Sequence, residues 1–155
     1  MVCFRKHTGS VTGVVSFSGK GAQILLSITG SPELARKCMD QLPTGGKTPL
    51  AAGILQANEL LRAERIRTPD ALQYLILISD GKANIPLFGD PFEDAVFMAE
   101  QVRLSGVGAM VLDTENSYIR FGFAKQIAEH MDAEYVRLDD ISGTAVEENV
   151  RSFIN

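Results

Sequence analysis

Two kinds of hydrophobic patterning divide the chain near residue 50. Before that point, residues 11–18 (VTGVVSFS) and 22–28 are rich in β-branched and aromatic side chains and are separated by Gly19-Lys20-Gly21, which predicts a hairpin. Ser31-Pro32-Glu33 then supplies a capping hydroxyl, a proline suited to a first helical position and an acid for the first turn, so a helix is predicted to about Gln41. Beyond it, Leu50, Ile54, Ala57 and Leu61 recur at helical spacing, with Pro49 as first helical residue. The run 75–78 (LILI) has no polar alternation, which suits a strand covered on both faces in a parallel sheet. A helix opens at Asp90-Pro91, carries Ala95, Met98, Ala99 and Val102 on one face and ends at Gly106. Residues 107–113 (VGAMVLD) form a second strand apolar on both faces. A helix over about 118–131 is predicted to bury Phe121, Ala124, Ile127, Ala128 and Met131. A short strand over 134–138 and a final helix carrying Val146, Val150, Phe153 and Ile154 complete the pattern.

From residue 50 onward helices and strands alternate, the mark of an α/β fold with a mainly parallel sheet. Right-handed crossovers bring the carboxyl ends of its parallel strands to one rim, where such sheets bind ligands. Both central strands end there in a carboxylate, Asp80 followed by Gly81 and Asp113 followed by Thr114. Residues 1–10 carry little signal and are left as an unassigned leader; 11–155 are read as one domain.

Composition narrows the function classes. The 155 residues are 45% apolar and 22% charged, with net charge −4 and pI near 5.2. The basic residues are scattered instead of forming a stripe, which argues against a nucleic-acid partner. No apolar run approaches the ~20 residues that cross a bilayer, so no membrane span is expected. Two cysteines, Cys3 and Cys38, with no CxxC, fit a reduced cytoplasmic setting, with Cys38 a small helix residue facing the core. His7 lies in the polar leader, and His130 is placed near the end of a helix, where the dipole favours a cation.

The candidate chemistry sits at the strand ends. Asp80, Asp113, several serines and Thr48, at the mouth of the helix that follows the LPTGGKTP loop, are hard oxygen donors suited to magnesium, calcium or manganese. The bland alternatives are that Thr48 is a helix N-cap and that Asp80 satisfies turn amides. The GGKT string is no phosphate loop, because its first glycine would fall at Gln41 and a helix stands where the preceding strand is required.

The strings GVVSFSGKGAQILL, LPTGGKTPLAAGI, LILISDGKAN and VLDTENSYIRFGFAKQIAEHMDAEYVRLDDI resemble the carboxyl-terminal von Willebrand factor A (integrin I-like) domain of the magnesium chelatase D subunit, with cobalt chelatase subunits a little further off. The match runs in order over about residues 12–153. It implies a three-layer α/β fold with a mostly parallel sheet, an antiparallel edge hairpin at 11–28, and a metal-ion-dependent adhesion site on the upper rim. By position, it makes Thr48 and Asp80 metal ligands, with Ser79 and Gly81 shaping the loop and Asp113 tuning charge from behind them. The family's Asp-x-Ser-x-Ser segment on the first strand does not occur here, so the first strand is expected to be missing. Magnesium with two protein ligands is then held weakly, or not at all, in the isolated chain. The gap in the sheet would favour self-association into a homo-oligomer.

The resemblance implies a non-catalytic interaction module that docks the chelatase ATPase subunit and the large porphyrin-binding subunit during metal insertion into tetrapyrroles. A general von Willebrand A interaction domain unrelated to tetrapyrroles is the alternative. A magnesium-dependent hydrolase or phosphotransfer domain with Asp80 as nucleophile is the third reading, and it needs a second acid beside Asp80 that Ser79 and Lys82 do not supply.

Overall fold

A computed structural model describes residues 2–6, 10–40, 46–138 and 143–154. Among these residues six strands, β1 (Val2–Lys6), β2 (Ser10–Ser18), β3 (Gly21–Thr29), β4 (Leu72–Ser79), β5 (Gly108–Asp113) and β6 (Glu134–Arg137), form one sheet in the order β3-β2-β1-β4-β5-β6. Among the described residues five helices accompany them: α1 (Pro32–Asp40), α2 (Leu50–Arg67), α3 (Pro91–Leu104), α4 (Phe123–Met131) and α5 (Gly143–Ile154).

The apolar runs behave as their patterning requires. On one face of β4, Leu75 and Leu77 are fully buried in a cluster with Leu50, Ile54 and Leu61 of α2, Met98 and Val102 of α3, and Ile127 and Met131 of α4. On the other, Ile76 joins Met110 and Leu112 of β5 beneath Val146, Val150 and Phe153 of α5. Tyr74 meets Phe153 edge to face at 5.2 Å. A strand sandwiched between two helical layers has no solvent side, which is why 75–78 never alternates. β4, β5 and β6 are parallel, and β2 and β3 form the expected antiparallel hairpin, with α1 against it.

Two expectations are corrected. Residues 2–6, left unassigned from sequence, form a strand that takes the place between β2 and β4 and runs antiparallel to both. The expected gap is therefore filled over the lower part of the sheet, and the reason it offered for self-association goes with it. β1 is short: Val2 pairs with Val14 and Ile76, so among the described residues no strand lies between Val15–Ser18 and Leu77–Ser79. The second correction concerns α4, which starts at Phe123 and not near residue 118. Gly122 adopts φ 67° at its N-cap, and the Glu115 carboxylate accepts the N–H groups of Phe121 at 3.1 Å and Gly122 at 3.4 Å, holding the segment outside the helix. Phe121, expected in the core, is 55% exposed. His7 and residues 42–45 of the glycine loop lie outside the described residues. His130 sits in the last turn of α4, 3.1 Å from Glu100.

Candidate functional site

The upper ends of β2 and β4, above Val2 at the start of β1, wall an open cleft of about 500 Å³. Phe17 and Ser18 stand on one side, Ile78, Ser79 and Asp80 on the other, with Gly46, Lys47 and Thr48 arriving from the loop before α2 and Thr114 from the end of β5. Thr48 and Asp80, far apart in sequence, thus line one cavity.

Each residue is held there by a local cause. Thr48 does not cap α2; Pro49 occupies that position without a side-chain hydrogen bond, one residue earlier than its expected place inside the helix. Thr48 is instead clamped by Asn84, whose Oδ1 accepts the Thr48 N–H at 2.7 Å and whose N–H donates to the Thr48 carbonyl at 3.2 Å. The Lys47 carbonyl accepts the Gly19 N–H at 3.0 Å, tying the same loop to the hairpin tip. Asp80 Oδ1 accepts the Lys82 N–H at 3.0 Å, so it does satisfy a turn amide, while Oδ2 lies 3.5 Å from the Lys82 ammonium. Ser79 is buried and its hydroxyl accepts the Gly81 N–H at 3.0 Å. Gly81 has φ 76°, and a Cβ there would stand 2.1 Å from the Ala124 nitrogen, so this turn is pressed directly onto the start of α4. No other residue fits it.

Asp113 goes elsewhere. It is buried, Oδ1 accepting the Glu115 N–H at 2.7 Å and Oδ2 the Tyr135 hydroxyl at 2.6 Å, and it lines a neighbouring cavity with Tyr135 and Arg137 of β6. The rim therefore carries two sites: Thr48, Ser79 and Asp80 in one, Asp113 in the next. Asn84, Lys82 and Lys47 were not singled out as site residues by sequence reasoning, whereas Thr114 was marked as the hydroxyl that follows Asp113. The asparagine closing the DGKAN string was the one available signal.

Among the described residues no three histidine, cysteine or acidic side chains cluster to hold a metal ion. The cleft offers one carboxylate, Asp80, and the hydroxyls of Thr48, Thr114, Ser18 and Ser79, all hard oxygen donors, and the carboxylate already has an ammonium partner. That set fits a magnesium or calcium ion only with most of its coordination left to water or to a partner.

Residues 2–82 match the von Willebrand factor type A domain. The chain belongs to this family. As a von Willebrand A domain it is 32% identical over 131 residues to an uncharacterized protein of Methanocaldococcus jannaschii, covering 84% of this chain and 75% of that one. It is 33% identical over 152 residues to the magnesium-chelatase 67 kDa subunit of Heliobacterium mobile, covering 92% of this chain but 22% of the subunit. The structure of BatB from Bacteroides thetaiotaomicron superposes with TM-score 0.67 at 19% identity, over 92% of this chain and 76% of that one, a likeness of fold. The domain thus spans under a quarter of the chelatase subunit's length.

Proposed function

We propose that this von Willebrand A domain is a non-catalytic protein-interaction module of a magnesium- or cobalt-chelatase D-type subunit, acting in the cytoplasm. Its cleft docks the chelatase ATPase subunit and the large porphyrin-binding subunit during metal insertion into tetrapyrroles. The observation that carries the reading is the convergence of Thr48 and Asp80 on one cleft at the sheet rim. Its similarity to magnesium-chelatase subunits supports the choice of complex. In this reading Thr48 and Asp80 hold a magnesium ion weakly, and a partner carboxylate completes its shell once Lys82 releases Asp80. A hydrolase reading gains no support, since the charged side chain beside Asp80 is a lysine and not a second acid. A general interaction role outside tetrapyrrole synthesis draws on the Methanocaldococcus relative, most of whose length this one domain covers.

The test is retention of the purified ATPase and porphyrin-binding subunits on the immobilised chain, with magnesium and with EDTA. Magnesium-dependent retention that Asp80→Ala abolishes is expected. Retention of neither subunit, or equal retention in EDTA, overturns the proposal. Calorimetric titration of the chain alone should show magnesium binding weaker than micromolar.

A further inference from the structure

The stretch Asp80-Gly81-Lys82-Ala83-Asn84 carries one proposed metal ligand, the clamp of the other, and a cation of its own. Among the described residues Asp80 is the one carboxylate that lines the rim cleft. Both of its oxygens are turned to a single residue: Oδ1 accepts the Lys82 N–H at 3.0 Å, and Oδ2 lies 3.5 Å from the Lys82 ammonium. The hydroxyls of Ser18, Thr48 and Thr114 share the cleft with this pair.

The backbone on either side of Lys82 is pinned. Gly81, at φ 76°, lies so close to the start of α4 that a Cβ would stand 2.1 Å from the Ala124 nitrogen. Asn84 is tied to Thr48 by hydrogen bonds of 2.7 Å and 3.2 Å. The turn therefore cannot swing out of the cleft as a unit, and the Lys82 side chain is the part that can leave. Its stem is flexible, and the pair is partly exposed, 41% at Lys82 and 32% at Asp80, so the contact is reversible.

That ammonium stands against the carboxylate a divalent ion needs. Two cations within about 4 Å of each other repel, and a doubly charged ion repels the ammonium twice as strongly as a singly charged one does. A second acid in the cleft would let both cations stay; with Asp80 alone, metal enters as the ammonium departs. Lys47 lines the same cleft but forms no ion pair among the described residues, so it adds positive charge without occupying a ligand.

We infer that Lys82 is a tethered competitor for the divalent ion: its ammonium keeps Asp80 occupied and sets the metal affinity of the cleft. This rests on the reading of Thr48 and Asp80 as metal ligands and adds to it the residue that controls loading. The weak hold on magnesium is then decided by one side chain as well as by the small number of ligands.

The test is calorimetric titration of the whole chain with magnesium chloride at fixed ionic strength, with the amide NMR signals of Thr48 and Gly81 locating the ion. Lys82→Met should bind about tenfold more tightly than the parent, Lys82→Arg about as the parent does, and Lys47→Met at most about twofold more tightly. Circular dichroism verifies that each variant is folded. The inference is overturned if Lys82→Met binds no more tightly than the parent, including the case in which neither binds. It is also overturned if Lys47→Met gains as much, because net charge alone then sets the affinity, or if the signals that move lie outside the cleft, which means an adventitious ion only. Its failure is distinct from that of the docking reading. Magnesium-dependent retention of the subunits by the parent, with Lys82→Met binding metal no more tightly, rejects this inference alone. Tight magnesium binding by Lys82→Met, with neither subunit retained by parent or variant, rejects the docking reading alone.

Discussion

Gly81 joins the rim turn to the body of the fold, and Gly81→Ala measures how firmly. At φ 76° an alanine occupies the left-handed region, costing roughly 1–2 kcal/mol. Its Cβ would also lie 2.1 Å from the Ala124 nitrogen and 2.5 Å from the Ala124 Cα and the Phe123 carbonyl carbon. These are backbone atoms of the first turn of α4, so no side chain can rotate away; the helix must retreat by about 1 Å, and overpacking of this kind costs about 1–3 kcal/mol. Together the loss is about 2–5 kcal/mol, a large part of the 5–15 kcal/mol that stabilises an ordinary domain. At this chain length it lowers Tm by about 5–20 °C. Gly19→Ala is the matched control, since Gly19 has φ 67° and nothing within 4 Å of an added Cβ, and it should lose only the conformational part. Because the chain has no tryptophan, urea unfolding is followed by far-ultraviolet circular dichroism. If Gly81→Ala proves no less stable than Gly19→Ala, α4 is not seated on the Asp80 turn and the rim geometry described above is wrong.

Two further outcomes follow from the packing. Gly53→Ala, although alanine is the better helix former, should destabilise by about 1–2 kcal/mol, because a Cβ there meets the Phe17 ring at 2.6 Å and pushes the cleft wall; a stabilised variant in urea denaturation would refute this contact. Asp94 has its pKa held below the ordinary carboxylate range by the N–H groups of Phe88, Gly89 and Leu87, against the opposing effect of desolvation. Its folded pKa is lower than its unfolded one, so the stability it adds is complete above about pH 4 and disappears as the pH falls through the depressed native value. Thermal melts of the parent and Asp94→Ala should therefore differ most near neutrality and converge in acid, and a constant gap would refute the assignment.

The double-faced burial of β4 was legible because it leaves a direct mark, an apolar run with no alternation, and the crossover rule then sends Asp80 to the rim. Thr48 was legible as a helix-mouth residue, but not as one clamped by Asn84 across 36 positions. The 118–122 segment reads as helix because Phe121 keeps step with Ala124 and Ala128; a carboxylate at position 115 and a left-handed glycine at 122 overrule that periodicity. β1 was illegible because five residues ending in Arg5 and Lys6 have too little pattern of their own, and their pairing is dictated by the edges of β2 and β4.

The order of apolar runs and breakers along the chain was enough to determine the α/β layering, the strands that are buried on both faces and the rim toward which their carboxylates run. These are properties of local patterning and chain handedness, which the residues carry with them. Which oxygen atoms share a cavity was decided only by the folded molecule. Asp113 ends β5 in register with Ser79, one residue short of Asp80; the hydroxyl of Tyr135 on β6 holds it in the adjoining cavity, while Asp80 lines the cleft with Thr48. Strand register and hydrogen bonds between elements far apart in sequence set that difference, and no local pattern encodes them.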